Sequence, residues 1–197
     1  MRIATPDDAD AVTETIALAF ADDPVWRTAL RRPDGSTAHH LPYWRIFVEG
    51  AMPHGMIHLA DDDAAVAVWI PPGGDEMSEE QEEQLRGVVV ENLGPAAQKA
   101  MFGLWDRFDW IHPHEEPHAY LSLLATHPDH RGRGIAQDLV RADLADLDRQ
   151  GVPAYLESTN PANDHRYVRL GFAKNGAFRG AEPGSVVSTM WRPVGGY

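Results

Sequence analysis

Apolar positions follow two periods along this chain, and the switches between them outline its elements. Residues 1–4 read as a short first strand. Thr5 then offers an N-cap, with Asp7 and Asp8 in the first turn, where carboxylates favour the helix dipole. Ala9, Val12, Ile16 and Phe20 recur at helical spacing, which predicts a helix over about 6–20 that Asp22-Asp23-Pro24 stops. Residues 24–55 are rich in aromatics and broken by Pro33, Gly35, Pro42, Gly50 and Pro53, with one helix predicted around 41–51. Residues 56–60 and 64–70, separated by an acidic turn at 61–63, form a hairpin that Pro71-Pro72-Gly73-Gly74 ends. An acidic opening (Asp75, Glu76, Glu79, Glu80, Glu82, Glu83) leads into helical patterning through Leu85, Val88, Val89 and Leu93. A further helix is predicted over about 95–108.

The second half is more regular. Residues 119–126 read as a strand and 133–149 as a helix with Ala136, Val140, Leu144 and Leu147 on one face. A strand at 152–157, a short helix near 162–169 and closing strands at 172–178 and 186–192 follow. A strand, a long helix and a second strand imply a right-handed crossover in a mixed sheet. The expected class is α/β, in one domain without repeats.

Composition narrows the chemistry. The chain has 197 residues, 43% of them apolar, and no cysteine, which removes disulfides and thiolate nucleophiles and fits a reducing compartment. The acidic start lacks the apolar stretch of a signal peptide, and no run approaches the length of a membrane span, so a soluble, cytoplasmic protein is expected. Seventeen basic against thirty acidic residues, a formal charge of −13, oppose nucleic-acid binding and suit a cationic partner. The ten histidines show no metalloprotease-like spacing, and no metal is expected.

The strongest chemical signal is Leu123-Leu124-Ala125-Thr126-His127-Pro128-Asp129-His130-Arg131-Gly132-Arg133-Gly134-Ile135-Ala136, which joins the central strand to the long helix. Gly132 and Gly134 permit a tight turn, the helix start presents unpaired N–H groups, and Arg131 and Arg133 add positive charge. Together they suit a pyrophosphate. The run resembles the Arg/Gln-x-x-Gly-x-Gly/Ala motif of the GCN5-related N-acetyltransferase superfamily, met by Arg131, Gly134 and Ala136. A second segment, Asn160-Pro161-Ala162-Asn163-Asp164-His165-Arg166-Tyr167-Val168-Arg169-Leu170-Gly171-Phe172, is similar to the family's downstream motif. Trp69-Ile70-Pro71-Pro72-Gly73 looks like the third strand of its puromycin-acetyltransferase-like branch.

The resemblance implies one acyl-CoA N-acyltransferase-like domain over 1–197, with a largely antiparallel sheet flanked by helices and a V-shaped splay between strands four and five. It implies acetyl-CoA held by Leu124, Ala125, Thr126, Arg131, Gly132, Arg133, Gly134, Ile135, Ala136, Gln137, Asn160, Asn163 and Tyr167. It also implies acetyl transfer to the primary amine of a small molecule by direct attack in a ternary complex, with Tyr167 as proton donor to the sulfur. Glu157, at a strand end, is the candidate base, although some family members place theirs two residues earlier, where this chain departs with Tyr155; His118, Glu115 and Glu116 compete with it. Asp23, Trp26, Tyr43, Trp69 and His118, with Asp22 and Trp44, are candidates for the acceptor site, which the 75–110 excursion would line. Trp26 and Trp69 also read as core anchors. Two alternatives stay open: a protein or peptide N-acetyltransferase, and a non-catalytic acyl-CoA-binding sensor. Homodimers are common in the superfamily and belong to the same set of expectations.

Overall fold

A computed structural model describes residues 1–196; Tyr197, the last position of the expected domain span, lies outside them. The elements run β1 (Arg2–Ile3), α1 (Ala9–Phe20), α2 (Trp26–Ala29), α3 (His40–Ala51), β2 (Ile57–Leu59), β3 (Ala65–Ile70), α4 (Glu79–Asn92), α5 (Pro95–Ile111), β4 (Ala119–Thr126), α6 (Ile135–Gln150), β5 (Ala154–Ser158), α7 (Asp164–Val168), β6 (Ala173–Arg179) and β7 (Val186–Arg192). The strands form one sheet in the order β1-β2-β3-β4-β5-β7-β6, antiparallel except where β4 meets β5. This is the expected α/β architecture.

Each strand's alternation divides the core into two layers. Val66, Val68 and Ile70 of β3 point to one face, packing with α1, α3, Trp26, Tyr43 and Trp44. Ala65, Ala67 and Trp69 point to the other, beneath Leu139, Val140, Leu144 and Leu147 of α6. Every residue of β3 is therefore buried, and its sequence reads as an unbroken apolar run. The 24–55 region differs from its reading as a much-interrupted stretch. Pro42 sits in the first turn of α3, where its missing N–H costs no helical bond. Gly50 lies inside the same helix because a Cβ there would come 2.3 Å from the Glu76 carbonyl oxygen. The glycine lets α3 press against the segment that carries Glu76. The short helix α2 has too few residues to leave a periodic signature.

The feature that shapes the site is in β4. Val68 of β3 faces Leu123 while Trp69 faces Leu121, so Ser122 is an extra residue bulged out of the ladder. The bulge turns the strand over: Ala119 and Leu121 face the α6 layer, but Leu123 and Ala125 face the α1 and α3 layer. On its other side β4 pairs with β5 only at Ala119 with Ala154 and Tyr120 with Tyr155. Beyond these two pairs the strands part, as expected of strands four and five.

Beneath α6 the core holds one anchored polar group. The Asp143 carboxylate is 3% exposed and accepts from Trp69 Nε1 at 2.8 Å, while its other oxygen lies 2.7 Å from His58 Nδ1. Asp143→Ala would leave the buried indole N–H unpaired. We expect it to lower unfolding free energy by about 2–3 kcal/mol, measured by urea denaturation.

Candidate active site

The parted strands open a cleft of about 1600 Å³ that runs through the middle of the molecule. One end is built by the turn between β4 and α6. Gly132 and Gly134 hold φ of +79° and +77°, a left-handed conformation that glycine adopts without strain. Gly134 is the N-cap of α6, whose first bond runs from Asp138 N–H to the Gly134 carbonyl. The N–H groups of Ile135, Ala136 and Gln137 thus lack helical partners and point out of the helix start. Arg131 reaches back to the end of α1, donating to the Ala19 carbonyl at 3.3 Å and lying 3.8 Å from Asp22. Arg166 and Arg169, flanking Tyr167 on and just beyond α7, also line the cleft. Positive φ, free N–H groups and Arg131 converge at the turn on a site for phosphates.

The edge of β4 turned towards β5 has no strand partner past Tyr120, so Leu124 and Thr126 border the cleft beside open backbone. Asn160 and Asn163 line its far wall, with the Asn160 side chain accepting from Ala162 N–H. Tyr167 lies on the same wall, its hydroxyl pushed up to about 12 by burial and by the nearby Asp23 and Asp164 carboxylates. It stays protonated at neutral pH and is able to donate.

The opposite end is acidic and aromatic. Glu157 projects from β5 with a side chain 2% exposed, and both its oxygens are buried without a hydrogen-bond partner. Its nearest basic group is His112 Nδ1, 3.5 Å from Oε1. Tyr120 and Tyr155, side by side on β4 and β5, have hydroxyls held well above their ordinary range, by burial first and then by the Glu157 charge. Glu76 accepts from the hydroxyl of the bulged Ser122. Burial and the Glu157 charge push the Glu76 carboxyl up to about 7. Trp26, Trp44, Trp105 and Phe108 supply the surrounding wall.

Several expected residues take other places. Tyr43 is fully buried, receives the Trp105 indole N–H at 3.2 Å, and does not reach the cleft. Trp69 is fully buried on the α6 side of the sheet, bonded to Asp143. Both were acceptor-site candidates; both are core anchors, because the register of β3 and the packing of α3 point them away from the opening. Asp23 borders the cleft, but its carboxylate already accepts from Val25 N–H, Trp26 N–H and Thr159 Oγ1. It ties the α1–α2 turn to the end of β5. The Ala125 side chain faces the core, and Arg133 points outward to the Asp129 carbonyl. His118 lies in the cleft, donating from Nδ1 to the Glu116 carbonyl at 2.7 Å. Glu76, His112, Tyr120 and Ser122 went unforeseen. Glu76 sits in a run of carboxylates that reads as a solvated helix start, and nothing in sequence spacing relates His112 to Glu157.

Fold and cleft together define an α/β protein with a cleft between parted strands, a glycine turn at a helix start at one end and an acidic, aromatic pocket at the other. The family model described as Acetyltransferase (GNAT) family matches residues 26–172, and the chain belongs to that family. It is 32% identical over 88 residues to the L-amino acid N-acyltransferase MnaT of Escherichia coli (strain K12). That match covers 43% of this chain and 48% of that protein, so it spans about half the length of the curated relative. Among solved structures, histone acetyltransferase HPA2 and related acetyltransferase from Corynebacterium glutamicum ATCC 13032 superposes with a TM-score of 0.69 at 24% identity, over 98% of this chain and 94% of that one. Arylalkylamine N-acetyltransferase 2 from Aedes aegypti gives 0.66 at 16% identity, over 98% and 97%. The polyamine N-acetyltransferase of Drosophila melanogaster gives 0.66 at 15% identity, over 98% of both chains. These structures share the fold.

The raised Glu76 carboxyl has a measurable consequence. Glu76 ionises near 4.5 when unfolded and near 7 when folded, so the folded state keeps a proton that the unfolded chain releases between those values. Its burial therefore costs more stability as pH rises through that window. Glu76→Gln, which can still accept from Ser122, should gain on the wild type from about pH 4.5 to 7 and hold a constant advantage of about 2–3 kcal/mol above it. Urea unfolding at about pH 5 and about pH 8 checks this.

Proposed function

We propose that this protein transfers an acetyl group from acetyl-CoA to the primary amine of a small, cationic molecule, by direct attack in a ternary complex. One observation carries the reading: the buried Glu157 carboxylate, with both oxygens unpartnered, faces a cleft whose far end is a glycine turn at a helix start. Acetyl-CoA supplies an activated thioester carbonyl and a thiol leaving group.

The residues present fit that ligand. The free N–H groups of Ile135, Ala136 and Gln137 hold the pyrophosphate, with Arg131, Gly132 and Gly134 shaping the turn. The unpaired edge of β4 at Leu124–Thr126 bonds the pantetheine amides, Asn160 and Asn163 close the other side, and a backbone N–H of that edge polarises the carbonyl. Arg133 contributes only through the far field, since its side chain is turned outward. Glu157 takes the proton of the ammonium group that enters the acceptor end, leaving a neutral amine to attack. Tyr167 donates its hydroxyl proton to the departing sulfur and is restored by the second proton that the nitrogen sheds as the amide forms. Holding both partners in one cleft supplies much of the remaining acceleration.

Charge separates the two halves and selects the acceptor. Arg131 stands at the turn end, beside Asp22, while Glu76 and Glu157 stand at the acceptor end with Arg86 over the Trp105 ring; in the cleft lining as a whole carboxylates outnumber arginines. A cation gains there and a carboxylate is repelled. That favours polyamines and arylalkylamines, the classes in the names of two structural neighbours. It disfavours amino acids, the class in the name of the Escherichia coli relative. The Trp69–Gly73 run supports placement in the puromycin-acetyltransferase-like branch.

Release of free coenzyme A from acetyl-CoA, followed across polyamines, arylalkylamines, amino acids and peptides, tests the proposal. We expect release that depends on cationic amines, with kcat lowered at least about tenfold by Tyr167→Phe and about a hundredfold by Glu157→Gln. Tight acetyl-CoA binding without release across the panel would point instead to a sensor module.

A further inference from the structure

At the bottom of the acceptor end a row of three side chains leads away from the reacting centre, and its hydrogen bonds fix where protons sit. His118 Nδ1 lies 2.7 Å from the Glu116 carbonyl oxygen, which only accepts, so Nδ1 carries a proton. Burial holds the His118 imidazole below its ordinary range, so the ring is neutral and its Nε2 is a lone pair. His112 Nε2 lies 3.3 Å from that lone pair and must be the donor. His112 Nε2 thereby carries a proton, and in the neutral ring Nδ1 is the basic nitrogen. That Nδ1 faces Glu157 Oε1 at 3.5 Å; neither oxygen of Glu157 has a hydrogen-bond partner among the described residues, and the Tyr120 and Tyr155 hydroxyls stand close enough to feel its charge. The His112 side chain is 26% exposed, whereas that of Glu157 is 2% exposed.

We propose that His112 is a proton-relay residue, positioned by His118, that empties the Glu157 carboxyl after each proton abstraction. The inference rests on the acetyltransferase reading of the cleft and deepens it. An ammonium group entering the pocket gives a proton to the Glu157 carboxylate, forming the neutral amine and a carboxylic acid. The acid passes that proton from Oε1 to His112 Nδ1, restoring the carboxylate and forming an imidazolium. The part-exposed imidazolium gives its Nδ1 proton to water at the cleft, so the ring keeps Nε2–H and returns to its starting tautomer. No electron pair leaves the system and no co-reactant is needed beyond water. Without the relay, a carboxylic acid buried to this degree would have to lose its proton directly through a pocket filled by the acceptor.

The surroundings of His112 suit a ring that changes charge. Tyr120 of β4 and Tyr155 of β5 pack edge-on against it, with centroids at 4.8 and 5.2 Å, and neither ionises at neutral pH. His114 lies 5.9 Å away and His118 5.1 Å away, ring to ring. The facing carboxylates are Glu157 and Glu76. His112 follows the last residue of α5, where the helix dipole and the unpaired carbonyls also favour a cation.

Two measurements test the relay. Long-range proton–nitrogen spectra of histidine-labelled protein, taken without substrate at neutral pH, should show His118 as the neutral Nδ1–H tautomer. The His112 Nδ1 resonance should shift in Glu157→Gln. An Nε2–H tautomer at His118, or a His112 Nδ1 indifferent to Glu157→Gln, overturns the proposal whether or not the protein is an acetyltransferase. The second is kinetic: His112→Gln keeps a polar, hydrogen-bonding side chain but cannot pass a proton. We expect kcat to fall at least about tenfold with the amine KM little changed and a larger solvent deuterium effect, at unchanged melting temperature. Wild-type kcat in His112→Gln, in an enzyme that does release coenzyme A, overturns the relay and leaves the acetyltransferase reading intact. Absence of release from the wild type bears on that reading alone, and the spectra then decide the relay.

Discussion

The structure depends on one broken ladder. A parallel pair of strands in the middle of a sheet would ordinarily continue its hydrogen bonds to both ends, because unpaired backbone in a protein interior is costly. Here β4 and β5 pair only at Ala119 with Ala154 and Tyr120 with Tyr155. The bulge at Ser122, on the β3 side of the same strand, adds local twist where the separation begins. The consequences are structural and chemical together. An edge of β4 stays unpaired, the start of α6 stands at one end of the opening, and Glu157 stands at the other. A sheet that zipped closed would bury the same apolar residues and would have no site.

Electrostatics then divides that opening. The acidic surface of the chain, with its formal charge of −13, is a weak long-range guide. At short range Arg131 stands at the turn end, and Glu76 and Glu157 stand among aromatic rings at the other. Two of those carboxylates act on each other. Glu157 helps hold Glu76 protonated near neutrality, and Ser122 gives Glu76 its hydrogen bond. The bulge residue that helps part the strands thus also bonds a group in the pocket, and its hydroxyl opposes the rise that burial and the Glu157 charge impose on Glu76.

Much of the frame was legible along the chain. The central strand at 119–126 and the closing strand at 186–192 match the alternation residue for residue, and the long helix begins where the two glycines relax the backbone. The burial of Ala136, Val140, Leu144 and Leu147 follows from helical spacing alone. Other positions were not legible. Trp69 and Tyr43 carry the same aromatic chemistry as Trp26, yet they face away from the cleft, because side-chain direction depends on register and helix rotation. Gly50 reads as a breaker until the approach of the Glu76 backbone is known.

The local physics of the chain by itself determined the order and kind of the elements, the glycine turn at the start of α6 and the acidic, cysteine-free character of the molecule. Those properties arise from neighbours a few residues apart, where backbone conformation, side-chain period and capping chemistry act. Only the tertiary structure decided which groups meet at the acidic end of the cleft. His112 follows a helix of the central excursion, His118 precedes β4, Glu157 ends β5 and Glu76 precedes α4, and nothing in their spacing connects them. The fold brings them within a few ångströms, and burial there changes what a carboxyl or an imidazole does, since the protonation state answers to solvent and neighbouring charge rather than to position in the chain.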